Sequence, residues 1–268
     1  MPTENLWTNT TAGTRMRRVE SYLNDQIKKM GCIHITLIDP DKCNPVQARS
    51  LASEGEKLGT SAFMIGGSTC MGGELLDELI KGLKAGSSLP VILFPGSLFG
   101  ISKYADAVWF MSVLNSTNVY YITGAQAIGA RMVRAYDLEA IPLGYIIVSP
   151  GGTAGFISQA MAIPHDKPEV AAIYSLAAQY MGMRFVYLER GSGVDAPIPP
   201  NMVQIVRKAA SEVKLVVGGG IKTREQSKEL AKAGADIIVT GNIVEERGVD
   251  GLKEIIGGIE EGVNERGA

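Results

Sequence analysis

Glu189 closes a short, apolar, β-prone run, Phe185-Val186-Tyr187-Leu188-Glu189, and the chain then turns through Arg190-Gly191-Ser192-Gly193. A strand that ends on a carboxylate and enters a Gly/Ser loop sets an acid–base group beside backbone N–H groups that an anion can approach. Two later apolar runs also end in glycine, at Gly218-Gly219-Gly220-Ile221 and at Gly241-Asn242. Glycine suits such places because a Cβ would block close approach, so consecutive strand ends can cradle a phosphate. Taken alone, residues 185–193 read equally well as a strand ending in a solvated Glu. The two further glycine-marked ends favour the anion site.

A second group of polar residues lies earlier. The run Ile33–Ile38 leads into Asp39-Pro40-Asp41-Lys42, and the next run ends in Gly66-Gly67-Ser68-Thr69. A carboxylate next to a hydroxyl is a hard-oxygen set with few protein ligands, which suits Mg²⁺ completed by substrate phosphates. The same Asp39-Pro40-Asp41 also suits a turn and a helix N-cap. Lys42 is open to two roles, a phosphate partner or a solvated surface lysine. His34 sits inside a strand and reads as a hydrogen-bonded residue of the sheet, and His165 reads as solvated in a Pro-rich loop. No CxxC, HExxH or GxSxG is present.

The elements that must position these groups alternate. Apolar periodicity predicts helices over 15–29, 45–58, 74–84, 123–136, 169–181, 201–212, 223–233 and 250–262. Between them fall strands over 33–38, 62–65, 91–94, 108–111, 144–148, 185–189, 214–217 and 236–240. No strand alternates with period two, as expected of parallel strands covered on both faces. The simplest architecture is a single (β/α)8 barrel domain over 1–268, in which residues 1–14 form a loose arm. An open doubly wound sheet is disfavoured, because the first βα turn is acidic and lacks a dinucleotide fingerprint. Between the third and fourth strands the chain is short and broken by Pro95 and two glycines. A full crossover helix hardly fits, so the third βα unit is expected to be degenerate.

Composition sets the class. The chain has 268 residues, 46% hydrophobic and 20% charged, which fits a soluble globular enzyme with a sizeable core. A net charge of -2 gives no footprint for nucleic acid. Cys32, Cys43 and Cys70 lack metal-ligand spacing and read as reduced thiols, which places the protein in the cytoplasm. Residues 85–102, 107–130 and 140–164 carry no Asp, Glu, Lys or Arg. Prolines, glycines and polar residues interrupt them, so they are not membrane spans. They are expected to line an apolar groove or the interface of a homo-oligomer, with Trp109, Phe110, Tyr120 and Tyr121 as groove walls or interface anchors.

Five motifs in order, His34 to Lys42, Gly66-Gly67-Ser68, Tyr187 to Gly193, Gly218 to Ile221, and Gly241-Asn242, resemble those of the geranylgeranylglyceryl phosphate synthase family. The resemblance covers nearly the whole chain from His34 to the last helix. It implies a modified TIM barrel with a defective third βα unit. It also implies transfer of a prenyl group from a prenyl diphosphate to sn-glycerol 1-phosphate, forming an ether-lipid precursor that partitions to the membrane. A bacterial branch uses heptaprenyl diphosphate. By this resemblance Asp39 and Ser68 match the Mg²⁺ positions. Tyr187, Leu188, Glu189, Arg190, Gly191, Ser192, Gly193, Gly219, Gly220, Gly241 and Asn242 match the glycerol-phosphate site. Cys70 stands where many members have glycine.

The expected function is therefore Mg²⁺-dependent prenyl transfer, with geranylgeranyl diphosphate as donor and Glu189 as the base that takes the proton of the attacking hydroxyl. One rival is a phosphate-binding barrel isomerase or aldolase, which needs a second acid–base partner or a strand-end lysine. Another is a barrel that binds a phospho-ligand without turnover.

Overall fold

The computed structural model describes residues 18–67 and 72–266. The loose arm expected over 1–14, together with Ser68, Thr69 and Cys70, lies outside the described residues. Eight strands, all parallel, close into a barrel in chain order. They are β1 (Ile33–Ile38), β2 (Thr60–Ile65), β3 (Val91–Leu93), β4 (Ala107–Val113), β5 (Glu139–Ile147), β6 (Phe185–Glu189), β7 (Lys214–Gly218) and β8 (Ile237–Thr240). Closure is made by β1 against β8, with His34 opposite Ile238 and Thr36 opposite Thr240.

Both faces of each strand are covered, which explains the unbroken apolar runs. Along β6, Phe185 and Tyr187 join the cluster inside the barrel, while Val186 and Leu188 join the layer between sheet and helices. The inner cluster also holds Val19, Leu23 and Ile27, spaced four apart on α1 (Arg18–Met30). That stripe plugs the N-terminal end of the barrel. Glu139, the first residue of β5, accepts the N–H groups of Val19 (2.8 Å) and Glu20 (2.9 Å) at the start of α1. The buried Glu20 carboxylate in turn pairs with Arg184.

The outer helices are α2 (Pro45–Leu58), α3 (Glu74–Gly86), α4 (Ala125–Ala135), α5 (Gly152–Ile157), α6 (Pro168–Tyr180), α7 (Pro200–Ala209), α8 (Arg224–Ala233) and α9 (Asn242–Arg266). α2 is bounded as its residue types dictate. Asn44 and Gln47 form a capping box, Pro45 opens the helix and Gly59 ends it in the left-handed region. The N-cap alternative for Asp39-Pro40-Asp41 is thereby removed, because the cap is Asn44. Asp39 instead accepts the Asp41 N–H at 3.1 Å, a local Asx turn.

The degenerate third unit is present. Between β3 and β4 stands one turn of 3₁₀ helix, Leu98–Gly100, in place of a crossover helix. Other elements differ from expectation. β5 begins at Glu139 rather than 144, running through Pro142. Pairing to β6 starts only at Leu143, so the missing proline N–H leaves no ladder gap there. A π-helical stretch, Tyr120–Gly124, precedes α4. The loop expected after β5 contains α5. The last helix begins at Asn242 and is broken at Gly248, whose φ is +54°.

The cap on α1 is testable. Replacing a helix-capping oxygen by Ala typically costs about 1 kcal/mol. Glu139→Ala should therefore lower unfolding free energy by about that amount in a denaturant titration, with Glu139→Asp intermediate. An unchanged midpoint would mean the Glu139 bridge contributes nothing.

Candidate active site

The strand ends open into a cavity of about 600 Å³. Its polar end is built by Asp39, Glu189, Ser192, Gly193, Gly219, Gly220, Gly241 and Asn242. Chemistry in such barrels sits at this C-terminal face.

Glu189 is the most buried charged residue on the cavity wall. Strand alternation turns it inward, two residues after Tyr187, and it is 7% exposed. One oxygen, Oε1, accepts the Gly191 N–H at 2.6 Å. Burial raises its pKa above the ordinary carboxylate value of 4.5, while the Gly191 N–H and the nearby hydroxyls of Tyr187 and Tyr145 favour its charged form and pull against that rise. Burial likewise pushes both tyrosine hydroxyls well above their usual range, so they remain neutral donors. Their rings pack on Phe94, with centroids 5.3 Å and 5.5 Å away, and form the cavity floor.

Gly219 has φ +86°, and a Cβ there would lie 2.6 Å from Glu189 Oε1 and 2.8 Å from the Gly191 nitrogen. Glycine is thus required both for the turn and for room around the carboxylate. Ser192 Oγ donates to Asn242 Oδ1 at 2.8 Å, tying the loop after β6 to the start of α9. Leu188 and Arg190 turn away from the cavity. Leu188 is fully buried in the sheet–helix layer. The Arg190 guanidinium donates to the carbonyls of Ser149 and Pro197 and braces the loop.

Across the mouth, Asp39 stands half-buried beside Gly67, where a Cβ would lie 3.0 Å from Oδ1. Lys42 Nζ is 3.6 Å from Asp39 Oδ2 and 2.9 Å from Glu245 Oε2, so this lysine is engaged by carboxylates at the rim. Among the described residues no group of three or more His, Cys, Asp and Glu is placed to hold a metal ion. A lone carboxylate oxygen fits a hard cation only where phosphates or water supply most ligands. His34 is in the sheet as expected, with its ring nitrogens 3.0 Å from Thr60 Oγ1 and 2.9 Å from Thr240 Oγ1. Burial holds its pKa down at about 3. His165 is exposed.

The other end of the cavity is apolar. It passes over the top of β4, where the crossover helix is missing, and reaches Leu98, Ile101, Gly129 and Val133. All three charge-free stretches contribute walls, through residues 94–101, 108–129 and 145–158. Trp109, Phe110, Tyr120 and Tyr121 are all among them. The reading from residues missed Tyr145, Phe94, Lys222 and Glu245, which also line the cavity. Only strand register could have found Tyr145, since Tyr145 lies opposite Tyr187.

The chain matches the PcrB family over residues 24–259. It is 55% identical over 231 residues to the geranylgeranylglyceryl phosphate synthase of Pyrococcus abyssi, covering 86% of this chain and 91% of that protein. It is 51% identical over 252 residues to the protein of the same name from Thermococcus sibiricus, covering 92% and 98%. A crystal structure of (S)-3-O-geranylgeranylglyceryl phosphate synthase from Thermoplasma acidophilum, in complex with substrate sn-glycerol-1-phosphate, superposes with a TM-score of 0.85. Identity there is 42%, and the match covers 89% of this chain and 98% of that one. At 14% identity and a TM-score of 0.55, thiamine phosphate pyrophosphorylase from Pyrococcus furiosus shares the fold alone.

The buried carboxylate has a consequence for stability. A carboxyl whose pKa is raised on folding binds its proton more tightly in the folded protein. Its contribution is fully present below the unfolded value and is lost as pH rises through the folded one. Glu189→Gln removes this loss. The variant should melt above the wild type at pH 8, by ~2–4 °C for each kcal/mol relieved, and the gap should close toward pH 5. A gap independent of pH, measured by calorimetry, would contradict the burial effect.

Proposed function

This chain belongs to the PcrB family and is a prenyltransferase, and we propose that it joins geranylgeranyl diphosphate to the 3-hydroxyl of sn-glycerol 1-phosphate with the help of Mg²⁺. The observation that carries this reading is the single cavity with two ends. A buried carboxylate in a glycine-built polar chamber opens directly into an apolar groove.

In this reading the backbone N–H groups around Gly219, Gly220, Gly241 and Asn242 hold the phosphate of the acceptor, with Ser192 and Gly193 closing over it. Glu189 orients the glycerol hydroxyls. As the hydroxyl oxygen bonds to the allylic carbon and the carbon–oxygen bond to diphosphate breaks, Glu189 takes the hydroxyl proton. Asp39, with Ser68 outside the described residues, would hold Mg²⁺, which supplies charge neutralisation to the departing diphosphate. The isoprenoid tail lies along the groove over β4, and the dry walls keep water from the reacting carbon. The product, a phosphate head on an isoprenoid tail, partitions to the membrane from a cytoplasmic enzyme. No helix among the described residues is long and apolar enough to cross a membrane.

The test is an assay of the purified protein with sn-glycerol 1-phosphate and farnesyl, geranylgeranyl or heptaprenyl diphosphate. Mass spectrometry should find geranylgeranylglyceryl phosphate and released diphosphate, with both lost on chelation. Preferred use of heptaprenyl diphosphate would reassign the donor, and no ether product from any donor would overturn the reading. Asp39→Ala should lower Mg²⁺-dependent kcat by roughly 100-fold or more, because metal neutralisation of a leaving group is worth several kcal/mol. Glycerol-phosphate affinity, measured calorimetrically, should hardly change. Equal loss of both would place Asp39 in the acceptor site.

A further inference from the structure

Residues 107–130 carry no Asp, Glu, Lys or Arg, yet two of their polar side chains converge on one short turn. That turn is the π-helical stretch Tyr120–Gly124, which puts Tyr120 and Tyr121 on the cavity wall. Such turns are rare and are found frequently at functional sites. Gln126, in the first turn of α4, reaches back across it. Its Nε2 donates to the Met111 carbonyl at 2.5 Å and to the Tyr121 carbonyl at 3.1 Å. From the strand side, Ser112 Oγ donates to the Ile122 carbonyl at 2.8 Å. These bonds fasten the turn to the end of β4. The Tyr120 and Tyr121 rings stand edge-on to each other (5.2 Å, 85°), so their placement follows that of the turn.

Packing alone does not account for an amide at this position. Both amide protons are used on carbonyls, which fixes the donor end of the side chain. The other end, Oε1, is buried and has no hydrogen-bond partner among the described residues. An unpaired buried acceptor opposes folding, and an apolar side chain of the same length would avoid that cost. What the amide adds is its two N–H bonds. Gln126 also lines the cavity itself, between Tyr121 and Gly129 along the chain. We propose that Gln126 is a positioning residue that sets donor specificity: its amide clamps the Tyr120–Gly124 turn to β4 and so fixes the groove wall against which the isoprenoid tail lies. The inference rests on the reading of this groove as the prenyl site. A longer tail covers more of the wall, and an apolar pocket discriminates by how many methylenes it fits. A wall held in one place therefore favours the donor whose length matches it.

Gln126→Met keeps the length of the side chain and deletes both N–H donors. A neutral hydrogen bond corresponds to about a 3- to 10-fold change. The ratio of kcat/KM for geranylgeranyl diphosphate to that for farnesyl diphosphate should fall by about that factor. The KM for sn-glycerol 1-phosphate should hardly change. Ser112→Ala, which frees the same turn from the strand side, should move the ratio in the same direction. An equal loss with both donors, leaving the ratio unmoved, would overturn the proposal and make Gln126 a structural residue only. A second measurement does not use turnover. Hydrogen exchange of the full chain, followed by mass spectrometry, should be faster in Gln126→Met within peptides covering Tyr120–Gly124 and unchanged in β6 to β8. Unchanged exchange at the turn would overturn the clamp. If the wild type makes no ether product, the functional reading fails, and calorimetric binding of the same two diphosphates still decides this inference. A smaller affinity difference between them in Gln126→Met than in the wild type supports it, and an equal difference overturns it.

Discussion

Everything at the mouth of this barrel depends on placing one carboxylate in a nearly dry site without a cation beside it. Burying an unpaired charge is costly, and the usual outcome is a proton taken up. Here the structure answers with the Gly191 N–H, which donates to Glu189 Oε1, and with the neutral hydroxyls of Tyr187 and Tyr145 on two adjacent strands, which favour the charged form. Each depends on something further away. Tyr187 has its hydroxyl against Gly218, where no side chain fits. The Gly191 loop is braced by Arg190, and the space beside Oε1 exists because position 219 has no Cβ. Glycines that look like a phosphate signature in the sequence are therefore also what lets the acid stand where it does.

The second constraint is an omission. A complete crossover between β3 and β4 would cover the outer top of β4, as α6 and α7 cover their strands. One 3₁₀ turn stands there instead, and the cavity runs out through the gap to Gly129 and Val133. The charge-free stretches now have a location. Charged side chains in this arm would need partners or water, and a long apolar ligand supplies neither. At the opposite end of the barrel, Val19, Leu23 and Ile27 of α1 join the inner core. The gap gives the cavity an apolar end beside its polar one.

Much of this was legible in residue types and spacing. β1, α2 and β6 fall where apolar runs and caps place them, and the degenerate third unit follows from Pro95 and too few residues for a helix. The glycine-marked strand ends do converge on one cavity. What local signals could not supply was side-chain direction. In strands covered on both faces no alternation marks the inner side, so Leu188 and Arg190 share the motif with Glu189 yet point elsewhere. Tyr145 was invisible for the same reason. Its partner Tyr187, 42 residues downstream, is chosen by register across two neighbouring strands. The broken last helix was missed at its start because Gly248 interrupts the apolar period.

The central claim is that Glu189 takes a proton in the bond-forming step. It is tested most directly by single-turnover kinetics of Glu189→Gln with both substrates saturating, together with calorimetric binding of sn-glycerol 1-phosphate. General-base assistance contributes ~10²–10⁴-fold. The account predicts a fall of about that size in the chemical step, with glycerol-phosphate affinity much less affected, since backbone groups hold the phosphate. A variant that turns over at nearly the wild-type rate would contradict it, and the proton would then leave through water or the diphosphate product.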